Sequence, residues 1–161
     1  MIVYLVRHGI AEDWAASGRD RDRRLTERGR KRIQQCGVGL KRLGVKLDVM
    51  LTSPFPRAAE TASIIADTLN CTERLQTAEV LQSGGGGDKY VRQLLHDRTG
   101  EIMLVGHEPE MSLMAADLAG NGTRIVFKKG TVCRIDLLDA NAHGEIVWLL
   151  APKILTALGK S

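Results

Sequence analysis

The sequence predicts an α/β protein, namely a three-layer α/β/α sandwich around a mostly parallel, mixed sheet with a C-terminal antiparallel hairpin. Three observations predict this class. Short apolar runs alternate along the chain with segments of helical periodicity. These runs lack polar alternation, which is typical of parallel strands covered by helices on both faces. Finally, the runs Thr131–Leu138 and Glu145–Leu150 are separated only by a turn-rich segment, 139–144, which predicts the hairpin.

The first strand is predicted from the apolar run Ile2–Val6 at the start of the chain. Arg7, His8 and Gly9 follow it directly. Ligands of open α/β sheets bind at the carboxyl ends of the strands, and glycine lets the backbone turn sharply there. On this segment alone, a strand that ends in polar residues by chance is an equally good interpretation.

The next elements are a helix, a strand and a second helix. Thr26 is a predicted N-cap with Leu25 before it as a hydrophobic staple, and Gly44 ends the helix. The apolar run 48–53 then predicts a strand. A proline-containing turn leads from it into a helix from Arg57 to about Leu69, whose first turn directs Arg57 towards the end of the strand.

The middle of the chain gives weaker signals. A strand is predicted around 75–81, and the glycine run 83–87 is interpreted as a flexible loop because no Lys and Ser/Thr follow it as in a P-loop. Asp88 is a predicted N-cap for a helix with an apolar face, while His96 near its end is interpreted as a solvated residue. The apolar face consists of Val91, Leu94 and Leu95.

A further buried strand is predicted at 102–105, and it ends in Gly106 and His107. A helix begins near Pro109 and is ended by Gly120-Asn121-Gly122. Its inward residues are predicted to be Met111, Met114, Ala115 and Leu118, with the methionines as core filler.

Length, apolar runs and cysteine spacing limit the classes of protein that this chain can belong to. At 161 residues the chain is predicted to form one domain, 1–161. No run approaches the roughly 20 apolar residues of a membrane span, and the N-terminal run is too short for a secretory signal, so a cytoplasmic protein without a membrane partner is expected. The three cysteines lack C-x-x-C spacing and are interpreted as reduced thiols. No zinc site is predicted.

Basic residues outnumber acidic ones, 23 to 19, and much of the excess lies in the stretch Arg19–Arg32. A solvated loop running into an exposed helix face explains this stretch. Acidic residues are interleaved in it, and the chain has few aromatic residues to stack bases, so no nucleic-acid partner is expected. A positive rim that steers an acidic or phosphorylated partner is the functional alternative.

The predicted strand ends bring two arginines and two histidines to one edge of the sheet. These residues are Arg7, His8, Arg57 and His107. Guanidinium groups match phosphate oxygens, and helix N-termini add free N–H groups and partial positive charge. The pattern therefore predicts a phosphate site.

Four motifs in order along the chain carry a family resemblance. They are Arg7-His8-Gly9, Leu25-Thr26-x-x-Gly29, Ser53-Pro54-x-x-Arg57-Ala58-x-x-Thr61-Ala62 and Gly106-His107-x-Pro109. With them the sequence resembles the histidine phosphatase superfamily, which also contains the phosphoglycerate mutases. The short chain and the Gly-His-x-Pro form are most similar to its SixA-type phosphohistidine phosphatases.

The resemblance implies a two-step reaction in which His8 is the nucleophile and carries the phosphoryl group. Arg7, Arg57 and His107 would hold the phosphoryl oxygens, replacing the magnesium that other phosphoryl-transfer enzymes use. A neutral imidazole suits this role near pH 7, and neighbouring cations disfavour its protonation. The expected enzyme is a metal-independent phosphatase without a cofactor.

One departure from the family pattern bears on the substrate. Many members place a glutamate after the third strand to protonate the leaving oxygen, but the corresponding stretch 81–84 has no carboxylate, and Glu79 and Asp88 flank it. We therefore expect a phosphatase that removes phosphate from phosphohistidine on signalling or phosphotransfer proteins and releases inorganic phosphate. One alternative is a phosphatase or mutase of small phosphoesters, with Glu79 or Asp88 as the acid. The other is a phosphate-binding or phosphoprotein-docking module without turnover.

Overall fold

The computed structural model of the protein describes residues 1–120, 122 and 125–160. The elements of this part are β1 (Ile2–Arg7), α1 (Glu27–Arg42), β2 (Val49–Thr52), α2 (Pro56–Leu69), β3 (Leu75–Thr77), α3 (Gly87–Leu95), β4 (Glu101–Gly106), α4 (Glu110–Ala119), β5 (Val132–Asp136), β6 (Glu145–Leu150) and α5 (Pro152–Leu158). Single 3₁₀ turns lie at Asp20–Asp22, Thr72–Arg74 and Glu79–Leu81. The predicted alternation of strands and helices is confirmed.

The strands form one mixed sheet in the order β3-β2-β4-β1-β5-β6. The first four strands in this order are parallel, whereas β5 is antiparallel to both β1 and β6. The predicted mixed sheet with a C-terminal hairpin is therefore confirmed. Because β1, β2 and β4 are parallel neighbours, their carboxyl ends lie together at one edge of the sheet.

Helices cover both faces of the sheet, and alternate residues of β1 pack against the helices of opposite faces. Val3 and Leu5 pack into a core cluster with residues of α3 and α4. Tyr4 and Val6 point the other way, into a cluster with residues of α1, α2 and α5. Alternating side chains that are buried on both faces explain the uninterrupted apolar run in the sequence.

The N-terminal helices begin as predicted. The Thr26 hydroxyl accepts a hydrogen bond from the backbone N–H of Gly29 (2.9 Å), which satisfies a free donor in the first turn of α1. The helix ends at Arg42, and Gly44 follows in the left-handed conformation (φ 77°). Pro56 occupies the first turn of α2, where its missing N–H costs no hydrogen bond.

Two predicted boundaries need correction. The strand predicted around 75–81 ends at Thr77, because the chain turns into a 3₁₀ helix at Glu79. Asp88 does not cap α3, since left-handed Gly86 is the capping residue and Asp88 lies in the first turn. Helix α4, by contrast, ends where the sequence predicted, at Ala119 before left-handed Gly120. Asn121 of the predicted terminator lies outside the described residues.

Helix α5 was not predicted. It has only seven residues, too few to display a clear helical period, and it is anchored by buried Pro152 and Leu155. The three cysteines are buried free thiols, as predicted. In the part of the chain that the structure describes, no helix is both long enough and apolar enough to cross a bilayer.

Candidate active site

The carboxyl edge of the sheet brings the four predicted site residues together. Arg7 is the last residue of β1 and His8 follows it, while His107 follows β4. The backbone N–H of His8 donates to the carbonyl of Gly106 (3.0 Å), so the segments that follow β1 and β4 leave the sheet side by side. The rings of His8 and His107 have centroids 5.2 Å apart. Arg57 joins them from the first turn of α2.

The His8 ring is held in one tautomer. The ring is buried, and its Nδ1 lies 2.7 Å from the carbonyl oxygen of Gly9. A carbonyl oxygen only accepts hydrogen bonds, so Nδ1 of the neutral ring carries the proton. The lone pair is therefore on Nε2. An imidazole in this state can attack phosphorus.

The surroundings keep both histidines neutral. Burial lowers the pKa of His8 to about 3, and His107, Arg57 and Arg7 act in the same direction. The hydrogen bond to Gly9 raises this pKa but does not offset the burial. Burial, followed by the charge of Arg57, also lowers the pKa of His107 to about 4. Both rings are thus uncharged near neutral pH.

Arg57 is held by a residue from the loop after β1. Its Nη1 donates to the carbonyl of Asp20 (2.9 Å), and its Nη2 donates to the carboxylate of the same residue (3.1 Å). The Asp20 carboxylate also pairs with Arg23 (2.8 Å). Burial raises the pKa of Asp20, but the charges of Arg57 and Arg23 outweigh it and leave that pKa below its usual value. Asp20 thus fixes the orientation of the guanidinium group of a side chain that is only 4% exposed.

Arg7 is held from the opposite side, by the segment before β5. Its Nη1 donates to the carbonyl of Phe127 (2.6 Å). The backbone N–H of Gly130 in the same segment donates to the carbonyls of both Arg7 and His8 (3.0 Å each). This segment therefore fixes both the side chain and the backbone at the end of β1.

Three nitrogen atoms of the site are buried without a partner. Among the described residues, four buried side-chain polar atoms lack a hydrogen bond, and three of them are Nε of Arg7, Nε of Arg57 and Nδ1 of His107. Nε2 of His107 lies 2.9 Å from the hydroxyl of Ser53, and a hydroxyl that donates there leaves the ring proton on Nδ1. Buried donors normally have partners. Three such donors around His8 suit an anion with three free oxygens.

Thr61 connects the two halves of the site. Its hydroxyl accepts from the backbone N–H of Gly9 (3.0 Å) and donates to the carbonyl of Arg57 (2.7 Å). Gly9 itself packs so closely on Ile33 that a β-carbon would lie 2.7 Å from that side chain. A larger residue would displace the loop after β1, so the glycine is needed for close approach.

Neither of the two candidate acids from the sequence is the carboxylate that the structure brings to the stretch 81–84. Glu79 is exposed and hydrogen-bonded to Gln82, and Asp88 lies in the first turn of α3. The structure brings another carboxylate to the stretch 81–84, because Glu110 in the first turn of α4 accepts from the backbone N–H of Gly84 (2.7 Å). Glu110 is buried, and its Oε2 is the fourth unpartnered atom.

Sequence reasoning missed Asp20, Phe127 and Glu110 as parts of the site. Asp20 is one of several interleaved acids in a basic stretch, and Phe127 contributes only a carbonyl group, so neither stands out by residue type. Glu110 follows His107 by three residues, which is a local signal that could have directed attention to it. Within the described ranges no three His, Cys, Asp or Glu side chains form a metal site, and a metal-independent reaction stays a prediction.

Comparison with known proteins agrees with this geometry. The model of the histidine phosphatase superfamily (branch 1) matches residues 3–85. An uncharacterized protein of Picosynechococcus sp. is 30% identical over 164 residues, which cover 96% of this chain and 99% of the relative. The phosphohistidine phosphatase SixA of Escherichia coli is 28% identical over 155 residues, 94% of each chain.

The fold is shared as well. The solved structure of the protein histidine phosphatase SixA complexed with tungstate superimposes with a TM-score of 0.85 and 26% identity, covering 96% of this chain and 99% of that chain. A phosphoglycerate mutase from Bacillus anthracis shows the same fold, with a TM-score of 0.72 at 16% identity and coverage of 100% and 97%. The predicted resemblance is therefore confirmed, and the protein is a phosphatase of the hydrolase class. The chain belongs to the histidine phosphatase superfamily.

Proposed function

We propose that this protein is a phosphohistidine phosphatase that removes phosphate from phosphohistidine on proteins through a covalent intermediate at His8. The observation that carries the proposal is the set of three unpartnered, buried nitrogens of Arg7, Arg57 and His107 beside a neutral imidazole. The similarity to SixA, whose name states this activity, supports the choice of substrate.

The first step transfers the phosphoryl group between two imidazoles. Nε2 of His8 attacks phosphorus, and the bond between phosphorus and the substrate nitrogen breaks. The electron pair of that bond stays on the substrate ring, which leaves as neutral imidazole when its other nitrogen is protonated. Meanwhile Arg7, Arg57 and His107 stabilise the charge on the three phosphoryl oxygens.

The second step releases inorganic phosphate. A water molecule attacks phosphorus, the bond to Nε2 of His8 breaks, and the electron pair returns to the ring. The low pKa of His8 favours this step, because the ring leaves as a neutral group near pH 7. The products are the dephosphorylated protein and inorganic phosphate. The proposed chemistry involves no metal.

The leaving group tests this proposal against its alternative. A serine alkoxide is strongly basic and leaves slowly without a general acid, whereas imidazole and p-nitrophenolate leave readily. We expect hydrolysis of a phosphohistidine protein and of p-nitrophenyl phosphate, with much slower release from a phosphoserine peptide and from phosphoglycerate. His8→Ala should abolish turnover, whereas His96→Ala, which removes an exposed histidine, should retain it.

The alternative function is the hydrolysis or isomerisation of small phosphoesters, and one observation favours it. Glu110 has a buried carboxylate oxygen without a partner beside the stretch where related enzymes carry their acid. If phosphoserine or phosphoglycerate were turned over as efficiently as phosphohistidine, and Glu110→Gln abolished only the ester activity, the alternative would replace our proposal. Glu79→Gln and Asp88→Asn serve as comparison variants, because the sequence offered these two residues as the candidate acids.

A further inference from the structure

Basic residues are concentrated on one side of the molecule. The segments 27–42, 125–130 and 152–160 contain 10 of the 23 Lys and Arg residues of the chain but only one of its 19 Asp and Glu residues. These segments are neighbours, because a β-carbon at Gly130 would lie in van der Waals contact with Ile33 of α1 and Pro152 of α5. The rest of the chain therefore carries a net negative charge.

The structure divides the basic stretch Arg19–Arg32 into two parts. In the first part, Asp20 pairs with Arg23 and Glu60 pairs with Arg24. In the second part, Arg30 also pairs with Glu60, whereas Arg28, Lys31 and Arg32 line a groove that Thr156 of α5 borders. Neither α5 nor the segment 125–130 contains an acidic residue. We define the basic face as Arg28, Lys31, Arg32, Lys128, Lys129 and Lys153; the only carboxylate on the three segments is that of Glu27, which pairs with Lys31 (2.6 Å).

The basic face begins at the active site itself. Phe127 binds the Arg7 side chain through its carbonyl, and Gly130 binds the backbone of Arg7 and His8. Lys128 and Lys129 lie between these two contacts, and both are exposed. A protein that presents a phosphoryl group to His8 must therefore approach these lysines.

We propose that the basic face docks the acidic surface around the phosphohistidine of the substrate protein. The inference rests on the proposed function and adds the chemistry of the partner. Complementary charge accelerates encounter and selects among partners, and its effect is weakened by salt. A nucleic acid is a poorer match, since the chain has only six aromatic residues and bases need stacking surfaces.

Two matched peptides test the inference, one with glutamates and one with lysines on both sides of the phosphohistidine. The control substrate is p-nitrophenyl phosphate, which is too small to reach the basic face. The test variant is Arg28→Glu/Lys153→Glu. Both positions are exposed and lie in the first turns of α1 and α5, where glutamate suits the helix dipole and the fold. The matched control is Lys46→Glu/Lys89→Glu, which makes the same charge change at two exposed positions outside these three segments.

At low ionic strength the wild-type protein should prefer the glutamate-flanked peptide by about tenfold in kcat/KM, and the test variant should lose this preference. Turnover of p-nitrophenyl phosphate should stay within about twofold in every variant, and the control should behave as wild type. Equal kcat/KM for the two peptides with the wild-type protein would overturn the docking inference alone. Hydrolysis of p-nitrophenyl phosphate but of neither peptide would overturn the proposed function as well.

Discussion

Acidification should destabilise this protein through its two buried histidines, and replacing His8 by asparagine should remove a defined part of that effect. His8 and His107 are both uncharged in the folded protein near neutral pH because burial opposes their protonation. In the unfolded chain the same rings are solvated and bind protons with the ordinary histidine pKa of 6.5. The two states thus bind different numbers of protons below that pH.

The size of the fall in the free energy of unfolding follows from the pKa values of the two histidines. The folded-state pKa is about 3 for His8 and about 4 for His107. Below pH 6.5 the unfolded state binds more protons, so the free energy of unfolding falls as the pH is lowered. Between about pH 7 and about pH 5 each histidine lowers it by about 2 kcal/mol, or about 4 kcal/mol together. His8→Asn should therefore make the fall smaller by about 2 kcal/mol.

Urea unfolding followed by circular dichroism measures this difference at both pH values. Phosphate-free buffer is needed, because phosphate bound to the native state would stabilise it. The control His96→Asn removes an exposed histidine from the end of α3 and should keep the full wild-type decline. An equal decline in His8→Asn and wild type would show that His8 titrates normally in the folded protein, and the argument for a neutral, buried nucleophile would fail.

Removal of metal, of the Asp20 carboxylate and of the Thr61 hydroxyl tests separate features of the site. Activity should survive excess EDTA, because the site supplies its own positive charges, and a requirement for added magnesium would contradict the mechanism. Asp20→Ala should lower kcat/KM for p-nitrophenyl phosphate about fivefold, since the partly solvated hydrogen bond to Arg57 contributes about 1 kcal/mol, while Asp20→Asn should restore part of the rate. Thr61→Val should lower the free energy of unfolding in urea by about 1–3 kcal/mol, because the buried N–H of Gly9 loses its acceptor; an unchanged value would show that this contact is dispensable.

The elements that surround the site were predictable because their signals are local. Buried strands on both faces require uninterrupted apolar runs, so β1, β2 and β4 stand out in the sequence. Thr26 and Pro56 mark the starts of α1 and α2 through chemistry confined to one helical turn. The elements that were misjudged, β3, the cap of α3 and α5, are short and depend on tertiary packing.

The same distinction applies to the site. The sequence alone determined which residue types stand at the ends of the parallel strands, and hence the gathering of Arg7, His8, Arg57 and His107 at one edge, because parallel strands must end together. Only the tertiary structure decided how the two arginines are oriented, through Asp20 and Phe127, and that Glu110 binds the loop at Gly84. These three residues lie 37, 120 and 26 positions from the groups that they bind, and no local pattern encodes a contact over such separations. The tautomer of His8 and the low pKa values of both histidines likewise depend on burial and on neighbours that only the folded chain brings together.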